Sequence, residues 1–319
     1  MKNKGIIIFL IILALVIVAV MVGDYMSDRP DKSEANPYEY NIDEFKDVDA
    51  DLVLYKETKN FKIRFEAPGA IAVDNRKIYI GGDTSVKIID LSGKLQNEFR
   101  LPGKPHSIKI AGDSIYVALE KQVSVFSESG NELLKIKLPE DNTFITSVAI
   151  SGKDVFVADA GNRRIVRFSN TGEKINEFEG KANDDVLHGF IIPSPYFDID
   201  INKEGELWAV NPGIHAFENY TFEGDLRGFW QNTTMKIDGF SGCCNPAHFT
   251  FLADGSFVTS EKGLVRIKIH KPSGELLGVV AAPIKFDNED KAPDIAVDDS
   301  GNIYALDFER KMIRVFELK

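Results

Sequence analysis

The stretch SVAISGKDVFVADAGNRRIVRF, residues 147–168, decides the fold. An alternating apolar strand runs into a turn at Gly152, a second strand carries Phe156, a polar loop follows, and a third strand ends at Phe168. The period is two, the apolar residues are mostly β-branched or aromatic, and no helical spacing competes. The same order returns at residues 294–316, DIAVDDSGNIYALDFERKMIRVF, and earlier at 71–89 and 108–126. More divergent copies begin at Ile199 (IDINKEGELWAV) and Phe249 (FTFLADGSFVTS). Most copies are followed by a further strand after a two-residue turn: Ser92-Gly93, Ser129-Gly130, Thr171-Gly172, Ser273-Gly274, and Glu223-Gly224 in a divergent copy.

First strands recur at roughly 37 to 51 residues, the spacing of propeller blades. Six first strands imply an all-β, six-bladed β-propeller over residues 52–319. The last copy stops after its third strand, while Asn60–Phe65 (NFKIRF) reads as a fourth strand standing ahead of the first copy. Pairing the two would close the ring and remove both exposed sheet edges.

At these residues the sequence resembles the NHL-repeat family of six-bladed propellers. Val157-Ala158-Asp159, Asn162, Arg164-Ile165, Gly301-Asn302-Ile303-Tyr304 and Asp307 carry the resemblance, which spans about residues 60–319. It implies blades rather than a particular chemistry. Asp159 with Arg164 is expected to brace one loop.

Ahead of the repeats, Lys2 and Lys4 precede an uncharged apolar run from Ile6 to Gly23, and Asp24 and Asp28 follow it. About eighteen apolar residues lie near the lower limit for a membrane-spanning helix. The flanking charges place the N-terminus inside and the rest of the chain outside the cytoplasm. A cleaved signal peptide is the rival, with a shorter apolar core and a small-x-small site, for which Ala19–Gly23 is a poor match. Residues 1–23 are therefore read as a transmembrane signal-anchor and 24–51, acidic and without periodicity, as a flexible tether. The formal charge of −11 argues against nucleic acid, since phosphate binding needs clustered Lys and Arg.

Candidate functional residues follow from the blade register. In a propeller the first strands line the central channel, and the loops leading into them open at its mouth, where a rigid scaffold tends to hold function. Aligning the copies puts Ala70, Ser107, Ser147, Asp198, His248 and Asp294 just ahead of the first strands, with His106 one step further out. Asp198, His248 and Asp294 come from three adjacent blades; imidazole and carboxylates so placed would suit a divalent metal ion with open positions for water. The alternative is that they are solvated or cap strand ends.

Both cysteines, Cys243 and Cys244, stand in the loop leading to His248. A vicinal disulfide, a thiolate pair for a soft metal, and simple burial all remain open. His215, Glu261 and Lys262 fall in loops of the same two blades, and Glu261 with Lys262 reads as a solvated charge pair. His188 lies in an insertion before the fourth blade, and Trp208, Phe229 and Trp230 are expected to pack between blades.

The leading expectation is a membrane-tethered, extracytoplasmic module that binds an envelope protein, a peptide or a small ligand. Its face is expected to hold His215, Cys243, Cys244, His248, Glu261 and Lys262. The alternatives are a metal-dependent hydrolase or lyase at Asp198, His248 and Asp294, with Glu261 or His215 as base, and a redox accessory protein using Cys243-Cys244. The sequence leaves the identity of any cofactor open.

Overall fold

The computed structural model describes residues 4–27, 42–181, 189–242, 244–287 and 291–319. Two compact units divide the chain after residue 42. In the first, the helix Lys4–Ser27 contains a stretch, Lys4–Gly23, long and apolar enough to cross a membrane; a signal sequence would have the same character. Its apolar side chains from Ile6 to Val22 stand exposed.

The second unit is a six-bladed β-propeller. Each blade is a four-stranded antiparallel sheet: residues 68–100, 107–137, 145–178, 199–231 and 248–281, and a sixth made of 294–318 with the strand Tyr55–Lys62. First strands of neighbouring blades touch all the way round, including the sixth against the first. The second strands, such as Asp154–Asp159 (DVFVAD), are sandwiched between adjacent blades and so bury both faces. Continuous apolar runs satisfy that position, as they do in any strand covered on two sides. Outer strands such as Leu95–Arg100 (LQNEFR) bury a single residue, Phe99.

This asymmetry shifts the closing strand. The sequence suggests Asn60–Phe65; the strand is Tyr55–Lys62, paired antiparallel with Met312–Leu318 from Tyr55↔Leu318 to Lys62↔Met312. An outermost strand meets water on most of its length, so YKETKNFK carries almost no alternation to read. Phe65 lies beyond the strand, buried against Gly82. The closure carries an ion pair: the buried Arg314 reaches Glu57 Oε2 at 2.7 Å and Asp307 Oδ2 at 3.4 Å. Ahead of it, the chain already lies on blade five, where the Leu54 amide donates to the Val279 carbonyl at 3.0 Å.

The two-residue turns that mark each copy have a packing role. At Gly93, Gly130, Gly224 and Gly274, φ is between +85° and +103°, where a side chain is strained. A Cβ there would also stand 2.5 to 2.7 Å from Phe61, Phe99, Phe178 and Trp230, each on the outer strand of the preceding blade. The glycines are thus seats for the neighbouring blade's one large outer side chain. Trp208 and Trp230 pack between blades four and five, Trp208 edge-on to Phe257 with centroids 5.0 Å apart. Phe229 does not: the next residue along an outer strand must face away, and it is 61% exposed.

Asp159 is wholly buried and braces its loop as expected, accepting from the Phe144 amide at 3.0 Å, Asn162 Nδ2 at 2.7 Å and Arg164 Nε at 3.2 Å.

Candidate functional site at the channel mouth

The aligned first strands place their leading residues at one level. Ser147 Oγ donates to Asp198 Oδ1 at 2.6 Å, and the Phe249 amide of the next blade donates to Asp198 Oδ2 at 2.9 Å. Asp294 accepts from the Ile71 amide of blade one at 2.8 Å. Each carboxylate therefore clips its blade to a neighbouring first strand. Between them stands His248, its Nδ1 3.9 Å from Asp198 Oδ2 and 3.9 Å from Asp294 Oδ1. These distances are too long for hydrogen bonds and short enough for strong Coulombic coupling. Tyr196 packs edge-on to the His248 ring, centroids 5.6 Å apart.

Strand alternation carries the lining one level deeper. Two residues on from the mouth set come Ala72, Lys109, Ala149, Asp200, Thr250 and Ala296. Lys109 Nζ meets Asp200 Oδ1 at 2.8 Å, and Thr250 Oγ1 donates to Asp200 Oδ2 at 2.9 Å. This inner layer was readable in the sequence, since adding two to each mouth position yields it, but the sequence reading stopped at the mouth.

Burial pushes the Asp198 carboxyl above its ordinary range, with His248, Lys109, Ser147 and the Phe249 amide opposing. Asp294 rises for the same first reason, opposed by His248 and reinforced by the charge of Asp198. For Lys109, burial pulls the ammonium down, but Asp200, Asp198 and Asp294 together outweigh it and the net shift is upward. The channel thus sets the carboxyl groups of Asp198, Asp200 and Asp294 around one lysine, Lys109.

Above this floor opens a cavity of about 380 Å³, lined by Asp198 and His248 below, by Tyr196, Phe144 and Phe308 as aromatic wall, and by His106, Lys104 and Lys291. Burial lowers the His106 pKa, with Glu120 opposing and Lys104 reinforcing the shift. Lys262 Nζ lies 5.1 Å over the Tyr196 ring, at the edge of the same mouth.

The other expected face residues divide. Glu261 is not a solvated partner of Lys262: it is wholly buried, held by Arg266 Nε and Lys268 Nζ, each at 2.8 Å. Blade five's inner strands are covered on both faces, so even its charged positions are interior. His215 is outside the cavity lining and works as a clamp, its Nδ1 3.1 Å from Thr233 Oγ1 and its Nε2 bonded to the Gly242 carbonyl. Cys244 is buried; Cys243 and His188 lie outside the described residues. The site is central, drawing on all six blades rather than on blades four and five. Among the described residues, no group of three or more His, Cys, Asp or Glu is arranged to hold a metal ion.

No family model and no curated protein sequence matches the chain. Solved structures do. A streptogramin B lyase is similar at 14% identity and a TM-score of 0.60, over 83% of this chain and 98% of that one. Virginiamycin B lyase from Staphylococcus aureus is similar at 17% identity and a TM-score of 0.59, over 83% of this chain and all of that one. The WD40 domain of Neurospora crassa Pan2 is similar at 9% identity and a TM-score of 0.56, over 83% of this chain and 95% of that one. Identities this low carry the propeller fold and no chemistry.

Proposed function

We propose that this chain is an NHL-type propeller held outside the cytoplasm by its N-terminal helix, and that it binds a small ligand or the end of a peptide, free or on an envelope protein, at the channel mouth. One observation carries the reading: a cavity of about 380 Å³ closes onto Asp198 and His248, at the point where first strands from successive blades converge. Its size falls within the roughly 300–1,000 Å³ of small-molecule sites, and it has their build, an apolar wall with a few convergent polar groups. Blade-to-blade clips fix those groups, so a ligand meets a site already formed.

A second reading uses the same residues as a metal-assisted hydrolase or lyase. It is favoured by His248 standing between two carboxylates whose pKa values are raised, a pattern that marks acid–base sites. Cys243-Cys244 chemistry would be a third and separate activity.

Native mass spectrometry of the full chain in detergent micelles, wild type beside His248→Ala, separates these. A small-molecule adduct present only on the wild type supports binding. A stoichiometric metal ion lost in the variant supports the lyase or hydrolase. Chains bare in both forms, with no thermal stabilisation across a metabolite library, would sink the mouth as a site. Digestion of the propeller by protease added to intact cells tests its placement outside the cytoplasm.

A further inference from the structure

The charges around the mouth do not balance, and their arrangement specifies a ligand. Asp198, Asp200 and Asp294 face a single lysine, Lys109, which is committed to Asp200 at 2.8 Å. Three carboxylates less one ammonium leaves two formal negative charges when His248 is neutral and one when it is protonated. Among the described residues no lysine or arginine forms an ion pair with Asp198 or Asp294; His248 is the basic side chain beside both. A buried carboxylate without a counter-charge is costly, and Asp198, one of the two left so, lines the floor of an open cavity. The rim has the opposite sign. Lys104 and Lys291 line the same cavity and, among the described residues, neither is in an ion pair. Between floor and rim the wall is aromatic: Tyr196, Phe144 and Phe308.

We propose, resting on the reading of the mouth as a binding site, that it selects molecules carrying a protonated amine and a carboxylate together, namely free amino acids or short peptides. The ammonium seats against Asp198 and His248, and the carboxylate meets Lys104 and Lys291. An ammonium offers three donors and no acceptor, which matches a floor built of acceptors. The aromatic wall would face an apolar side chain of the ligand. A ligand bearing only anionic groups would stand over uncompensated carboxylates, and a neutral one would leave the deficit in place.

The test is calorimetric titration of the full chain in detergent micelles. The probes are a panel of dipeptides with apolar, aromatic, acidic and basic second residues, their N-acetylated and C-amidated forms, and magnesium or zinc chloride alone. Free dipeptides should bind. N-acetylation should weaken binding about tenfold or more, the worth of a charge-assisted contact, and amidation by a smaller factor. Asp198→Asn should erase the preference for the free amine, and Lys104→Glu with Lys291→Glu the preference for the free carboxylate. Acetylated and free forms binding alike, with both lost in His248→Ala, would overturn the amine assignment and leave the mouth as a site. Dipeptide binding that requires added metal overturns it too. No dipeptide binding, or binding that survives His248→Ala, removes the proposal whatever else the mouth holds. Thermal midpoints confirm that each variant is folded.

Discussion

Two charged clusters, one inside blade five and one at the channel mouth, have opposite fates. Glu261, Arg266 and Lys268 are wholly buried in blade five, where the carboxylate meets both cations and the cations also donate to backbone carbonyls, Arg266 to Gly239 at 2.8 Å and to Met235 at 3.1 Å. Lys268 stands 4.2 Å over the Phe240 ring. Asp198, His248 and Asp294 use the same residue chemistry at the channel mouth, but their mutual approach stops at 3.9 Å and a cavity opens above them. Charge satisfied from within serves the fold, and charge left short beside open space is available to a ligand. The residue types alone do not distinguish the two cases; the distances and the cavity do.

The largest expected effect is in the closed cluster. Glu261→Gln leaves two buried cations without their counter-charge and should cost about 3–5 kcal/mol in chemical denaturation. A loss below 1 kcal/mol, on the scale of an ordinary surface change, would erase the contrast. The same cluster should respond to alkaline pH. Burial first, and Arg266 with it, holds Lys268 down to about 8 against an ordinary 10.5, with Glu261 opposing. A depressed lysine burdens the fold while it is charged, so the wild type should gain stability relative to Lys268→Met as pH rises from about 8 towards 10.5.

The mouth should behave in the opposite sense. Asp198 and Asp294 are raised in the folded chain, so their contribution is complete below the ordinary 3.8 and is lost as pH climbs through the raised values. Against an Asp198→Asn, Asp294→Asn double variant, the ligand-free wild type should therefore lose stability between acid and neutral pH. A gain over that interval would mean the carboxylates are satisfied after all. The smallest effect is Asp198→Asn at neutral pH, which should change stability by no more than about 1 kcal/mol while weakening binding of the free amine to the level of its acetylated form. Equal losses of stability and binding would place Asp198 with the structural cluster.

Much of the fold was legible because propeller blades repeat. The alternation in SVAISGKDVFVADAGNRRIVRF set the register, and the same register brought Asp198, His248 and Asp294 to one level with no error of a residue. Legibility failed where one face of a strand meets something other than a neighbouring blade's core. Tyr55–Lys62 carries no pattern because water covers it, so its start was read five residues late. Arg266 and Lys268 alternate with apolar residues as an exposed face would, but the segment around Met235–Phe240 covers them. That segment belongs to the connection 232–247, longer than the connections 101–106 and 138–144 of the earlier blades, and no repeat could announce it. The inner channel layer of Lys109, Asp200 and Thr250 follows from the same alternation, two residues beyond the mouth positions Ser107, Asp198 and His248.

Ring closure between Tyr55–Lys62 and Met312–Leu318 has a consequence in time. The first of these strands leaves the ribosome 312 − 62 = 250 residues before its partner begins. At about 5–20 residues per second, that is a wait on the order of tens of seconds with one sheet edge unpaired. An unpaired edge is a template for a foreign strand, and Lys56, Lys59 and Lys62 discourage such pairing, since an edge studded with lysine repels a second copy of itself. The polarity that hid this strand from a reader of the sequence also guards the nascent chain until its last seven-residue strand, Met312–Leu318, arrives.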